Sequence, residues 1–189
     1  MIYYKSGLVA EDFVNHIIER GESYPITEGG IGNGEQPFVD KEKRSCDIHW
    51  IPPTAENAEI VNFSNHFACE INRYKFGFEY RCTADFQYTV YNADVGGHYG
   101  WHIDTFGKSM DKAYDRKFTV IVQLSDPSEY EGGEFQLHPS IIKNMPPQDE
   151  LKVKGTIIAF PSYLVHRATK VTNGTRKALV FWAEGPPFC

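Results

Sequence analysis

Two kinds of hydrophobic spacing divide the chain. Phe13, Val14, Ile17 and Ile18 make a stripe within residues 9–20, with Glu11 and Asp12 near its start. Ile60, Phe63, Phe67 and Ile71 make a second within residues 54–74, after Pro52-Pro53 and with Thr54 placed to cap it. Steps of three and four put such residues on one face of a helix. Beyond Phe76 the period changes. Runs rich in β-branched and aromatic residues, parted by turn residues, predict strands at 83–92, 99–103, 117–124, 133–137, 155–160, 165–171 and 177–184. Short strands in succession, with hardly any helix after residue 80, argue an antiparallel double sheet. The expected fold is mainly β: a double-stranded β-helix (jelly roll) flanked by N-terminal helices. Residues 1–80 are expected to form a helical support region and 83–185 the jelly-roll core, within one domain spanning 1–189.

Composition narrows the partners. A net charge of −6 on 189 residues weighs against a nucleic-acid backbone, although the basic stretch 108–117 is a local exception. The longest apolar runs, 156–160 and 178–183, fall far short of the roughly 18 residues a membrane helix needs. Residues 1–8 lack a basic stretch followed by a long apolar run. No membrane partner is therefore expected, and a cytoplasmic location is. Cys46, Cys69, Cys82 and Cys189 show neither CxxC nor zinc-finger spacing, so they read as reduced thiols, two or three of them packed as small hydrophobes. The glycine-rich segment 29–34 reads as a mobile loop, because a phosphate cradle requires a strand before it and a helix after it.

The candidate chemistry begins at His102-Ile103-Asp104. On a strand, residues i and i+2 face the same side, so an imidazole and a carboxylate converge there as two adjacent metal ligands. About one such His-x-acid triplet arises by chance in a chain of this composition, so the match needs company. It has company in His166, which follows Phe160-Pro161-Ser162, and in Arg176 ten residues later. Two histidines and one carboxylate leave open positions on an octahedral iron. Arg176 adds a planar, permanently charged fork suited to a carboxylate. The combination is a pocket for a small dianion that chelates iron at one end. His16, His49, His66 and His138 read as surface or satisfied core histidines.

The spacing of His102, Asp104, His166 and Arg176 resembles that of the Fe(II)/2-oxoglutarate-dependent dioxygenases, and within them the prolyl 4-hydroxylase-like branch, including the small bacterial PKHD-type hydroxylases. Tyr91, Gly96-Gly97-His98-Tyr99, Tyr130-Glu131-Gly132-Gly133-Glu134-Phe135, the Phe-Pro-Ser run and Trp182 carry the likeness across residues 83–185, with support from Arg44-Ser45. The resemblance implies a metal triad of His102, Asp104 and His166. It also implies 2-oxoglutarate on the iron through its keto acid end and on Arg176 through its distal carboxylate. O2 is then consumed, succinate and CO2 form, and a substrate C–H is hydroxylated; ascorbate is a further family expectation. Tyr91 and Trp182 are implied near the cosubstrate, with Tyr91 standing eleven residues before His102, further than the family pattern. Gln123 falls where relatives carry a tyrosine on the distal carboxylate, and its amide is expected to donate there. Tyr99, Trp101 and His98 are candidates for the substrate pocket, and residues 105–116 for a lid, helped by loop 29–34.

The substrate the resemblance favours is a peptidyl proline. A free amino acid, a small molecule or a nucleic-acid base remain alternatives with the same chemistry. A metal site for hydrolysis on the same barrel, or a non-catalytic binding module, are alternatives of other classes. Exposed sheet edges leave an oligomer open.

Overall fold

Strands of alternating character dominate the computed structural model, which describes residues 2–30, 39–106 and 113–188. The strands are β1 (Tyr3–Lys5), β2 (Ile26–Glu28), β3 (Arg44–Ser45), β4 (Asp47–Ile51), β5 (Cys82–Asn92), β6 (His98–His102), β7 (Asp115–Gln123), β8 (Tyr130–Gly132), β9 (Phe135–Leu137), β10 (Ile157–Pro161), β11 (His166–Ala168) and β12 (Val171–Gly185). The helices are α1 (Glu11–Glu22), α2 (Ala58–Ile71) and the single turn α3 (Gln148–Leu151). The larger sheet runs β1-β10-β7-β12-β5-β4-β2, with β8 also paired to β12. The smaller runs β3-β6-β11-β9. All pairings are antiparallel.

Period-two alternation gives the larger sheet two different faces. Phe118, Val120 and Val122 of β7, Leu179 and Phe181 of β12, and Phe86 and Tyr88 of β5 all point one way and are buried. They pack against Val14 and Ile17 of α1 and Ile60 and Ile71 of α2. Phe13 and Phe63 join the two helices edge to face, with centroids 5.0 Å apart. The alternate residues of the same strands face the smaller sheet. Ile121, Ala178, Ile158 and Phe160 meet Phe135 and Leu137 there in a second apolar cluster. Cys46, Ile48, Tyr91, Tyr130 and Val171 form a third.

The N-terminal region departs from the helical expectation, because β1 to β4 lie within it. β4 pairs with β5 (Ile48 opposite Thr89), and β1 closes the far edge on β10 (Tyr4 opposite Ile158). Strands of two to five residues carry too few side chains for a period of two to stand out beside a helical stripe. Thr54 makes no side-chain cap. A 3₁₀ turn, Ala55–Asn57, precedes α2, and Asn57 Nδ2 donates to the Thr54 hydroxyl at 3.4 Å. β12 starts at Val171, earlier than expected, since its first residues pair with the short β8. Only Cys46 among the three described thiols is buried; Cys69 and Cys82 are exposed, and all three are free. No helix among the described residues is long and apolar enough to cross a membrane.

Phe118 tests the outer core. It is fully buried, with the rings of Phe76, Phe78 and Tyr80 at 5.1, 6.4 and 5.9 Å. Phe118→Ala is expected to destabilise the protein by about 3–5 kcal/mol, measured as a lower urea midpoint at unchanged m-value.

Candidate functional site

A cavity of about 290 Å³ opens between the two sheets, and its wall includes His102, Asp104, His166, Arg176, Tyr91 and Trp182. β6 and β11 place the two histidines opposite each other, His102 paired with His166. The ring centroids are 4.1 Å apart. β6 ends at His102, so Asp104 lies just past the strand, where its N–H donates to the Ser162 carbonyl at 2.8 Å. Asp104 Oδ1 is 3.5 Å from His102 Nε2, and Oδ2 is 3.5 Å from His166 Nε2. The ligand atoms of all three lie within 4.8 Å of one another.

The tautomers follow from the main chain. His102 Nδ1 is 2.8 Å from the Gly100 carbonyl, and His166 Nδ1 is 2.8 Å from the Leu164 carbonyl. A carbonyl only accepts, so each Nδ1 carries the proton and each Nε2 turns a lone pair inward. Burial opposes ionisation of Asp104, but His166, His102 and Arg116 outweigh it and hold the carboxyl well below its ordinary range. Burial first, and then repulsion from His102, push His166 down from 6.5 to about 4. A neutral imidazole beside an ionised carboxylate is a donor set for a divalent cation.

At the other end, Arg176 on β12 is buried, with Cζ 5.4 Å from the centre of the Tyr91 ring. No carboxylate among the described residues forms an ion pair with it. Gln123 stands behind the arginine, outside the set of cavity-lining residues. Oε1 accepts from Arg176 Nε at 3.1 Å, and Nε2 donates to the Tyr130 hydroxyl at 3.0 Å. Both ends of the amide are thus engaged by protein. Gly133, at φ +59, lets the Arg176 stem pass, since a Cβ there would meet Arg176 Cδ at 2.9 Å.

Tyr99 lines the cavity, whereas Trp101 and His98 do not. A register shift in the pairing of β6 with β11 puts Tyr99 on the same side as His102. The rings stack at 3.5 Å, and the Arg44 guanidinium covers the other face of Tyr99 at 4.4 Å. Trp101 is left facing Arg167 at 4.3 Å and His138 at 5.1 Å. His98 lies with Nδ1 2.8 Å from the Gly96 carbonyl and Nε2 2.9 Å from the Glu42 carbonyl. Trp182 lies under the Arg116 guanidinium at 3.7 Å, and Arg116 is held by Asp85 at 2.8 Å. Of the expected lid, 105–116, residues 107–112 lie outside the described residues, as do residues 31–34 of its helper loop, 29–34. Contributors not foreseen as site residues include Thr119, Ser162, Arg116, Tyr130 and Gly133. Thr119 shares the parity of Gln123 on β7, which is the signal that would have found it.

The model of the 2OG-Fe(II) oxygenase superfamily matches residues 86–184. The chain belongs to this superfamily. A PKHD-type hydroxylase from Prochlorococcus marinus is 38% identical over 92 residues, which are 47% of this chain and 37% of that protein. The chain therefore matches well under half the length of that curated relative. A Pseudomonas putida prolyl-4-hydroxylase structure superposes with a TM-score of 0.72 at 15% identity, covering 97% of this chain and 92% of the other. A Trichoplax adhaerens prolyl hydroxylase, in complex with a hypoxia inducible factor peptide fragment, gives 0.74 at 15%, covering 96% and 82%. The two structural likenesses establish the jelly-roll fold.

The superfamily's cofactors are Fe(II) and 2-oxoglutarate, and the residues present fit both. Two inward imidazole lone pairs and a carboxylate suit the metal, and a buried arginine with no ion pair among the described residues suits a dianion. Protonation checks this electrostatic picture in the metal-free protein. Unfolded His166 takes up a proton near 6.5 and the folded residue only near 4, so acidification through that window favours unfolding. Asp104, held low when folded, adds to the loss only as pH falls through its ordinary value of 3.8. Urea midpoints should fall from pH 7 to pH 4, and fall less in His166→Gln.

Proposed function

We propose that the protein is an Fe(II)- and 2-oxoglutarate-dependent hydroxylase, a single catalytic domain acting on a peptidyl proline. The observation that carries the reading is one cavity with the His102, Asp104 and His166 cluster on its wall and Arg176 on the same wall. The first three would hold the iron, and Arg176 would hold the distal carboxylate of 2-oxoglutarate beside Tyr91. When bound, iron and 2-oxoglutarate supply the oxidising power: O2 and 2-oxoglutarate are converted to succinate and CO2, and one oxygen atom enters the substrate C–H.

The chain's own work is positional. Gly100 and Leu164 carbonyls fix the imidazoles, and the Tyr99 stack fixes the plane of His102. Gln123 and Tyr130 hold the Arg176 fork in place before any ligand arrives, so little ordering is left to binding. Apolar walls from Ile121, Phe135, Ala178 and Val180 exclude water between the two polar ends. Proline as the substrate is supported by the likeness to prolyl hydroxylases. The free thiols suit a reducing compartment such as the cytoplasm.

An anaerobic titration tests the reading. Fe(II) and 2-oxoglutarate together, but neither alone, should raise a visible metal-to-ligand charge-transfer band that His166→Ala abolishes. Arg176→Gln should retain the metal and demand about 10–100-fold more 2-oxoglutarate, the worth of a buried charge-assisted contact. Absence of the band, with tight zinc binding, would overturn the reading. Aerobic mass spectrometry then distinguishes substrates. One-oxygen gain on proline-containing peptides and none on free amino acids is the expected result.

A further inference from the structure

Two buried hydroxyls stand behind Asp104. Thr119 Oγ1, on β7, lies 2.6 Å from Asp104 Oδ2, and Ser162 Oγ lies 2.9 Å from Thr119 Oγ1. The two residues are 1% and 0% exposed. An ionised carboxylate only accepts, so Thr119 donates to Oδ2 and its oxygen then accepts the Ser162 proton. The relay therefore has one direction. The Ser162 main chain joins in: its carbonyl accepts the Asp104 N–H at 2.8 Å, and its own N–H donates to the Lys117 carbonyl at 3.1 Å. Two residues further on, the Leu164 carbonyl holds the His166 ring. The short hook 162–166 thus secures Asp104 through main chain and side chain and His166 through its ring. This gives the Phe-Pro-Ser run ahead of His166 a physical task.

We infer that Thr119 and Ser162 are positioning residues that lock the rotation of the Asp104 carboxylate, so that it meets a metal in one fixed orientation, with Oδ1 3.5 Å from His102 Nε2 and Oδ2 3.5 Å from His166 Nε2. A carboxylate free to rotate must be ordered when a metal arrives; one locked by a 2.6 Å hydrogen bond is already set. The inference rests on the reading of His102, Asp104 and His166 as the iron site. Hydrogen bonds that orient a metal ligand are typically worth about 10–100-fold in metal affinity or activity.

The test uses Co(II) added to the metal-free full-length protein, followed by its visible absorption, whose intensity reports coordination number. Thr119→Val keeps the shape and removes the hydroxyl, Thr119→Ser keeps the hydroxyl, and Ser162→Ala removes the outer member. Circular dichroism melts establish folding. Wild type and Thr119→Ser should share one affinity and one spectrum. Thr119→Val should bind about tenfold or more weakly with an altered spectrum, and Ser162→Ala should fall between. Wild-type affinity and spectrum in Thr119→Val would overturn the inference. So would equal weakening in Thr119→Val and Thr119→Ser, which would assign the effect to packing. If Thr119→Val does not fold, a wild-type affinity and spectrum in Ser162→Ala overturns it instead. If the wild type binds no Co(II), or binds it undiminished in His166→Ala, the iron-site reading itself fails and this inference falls with it.

Discussion

The two-residue period of β7, β12 and β5 is the constraint on which the rest of the structure depends. One parity of each strand is apolar and lies under the helices; the other carries Thr119, Gln123, Arg176, Trp182 and Tyr91 toward the smaller sheet. A slip of one residue would expose Phe118, Val120 and Phe181 to a polar cavity and bury Arg176 under α1 and α2, so the packing of the outer core enforces the geometry of the site. The site residues themselves contribute little of the apolar burial that stabilises this arrangement. They are carried on strands whose register is decided on the other face.

The two ends of the cavity are built on opposite electrostatic terms. At one, Asp104 stays ionised despite burial because two imidazoles and Arg116 surround it. At the other, Arg176 is buried against an amide, a phenol and a ring rather than a carboxylate. Uncompensated buried charge costs free energy until a partner of opposite sign arrives. A cation at Asp104 and an anion at Arg176 are the complements each end lacks, and one chelating dianion with its metal brings both.

What the sequence reveals of this molecule depends on how local the relevant geometry is. His102 and Asp104 are two residues apart, and the strand that carries Arg176 follows closely on His166, so order and spacing suffice to single them out. Tyr99, Gln123 and Tyr130 obey a different logic. Tyr99 reaches the cavity through a register shift that no residue type announces. Gln123 reads as a ligand contact, and only the structure shows its amide set between Arg176 and the Tyr130 hydroxyl, seven residues on. The strands β1 to β4 escape notice for a related reason. They are defined by the partners they add to, β10, β5 and β6, and a segment as brief as Arg44–Ser45 has no periodicity of its own.

The larger sheet ends on both sides in strands of three residues, Tyr3–Lys5 and Ile26–Glu28. An open edge is a template for further pairing, and its hold on an incoming chain grows with the number of hydrogen bonds it can offer in register. Three residues offer too few to fix a register, while the long, strongly pairing strands β5, β7 and β12 are enclosed on both flanks. The short terminal strands therefore act as gatekeepers against polymerisation, keeping the most aggregation-prone segments of the chain from meeting their counterparts in another copy.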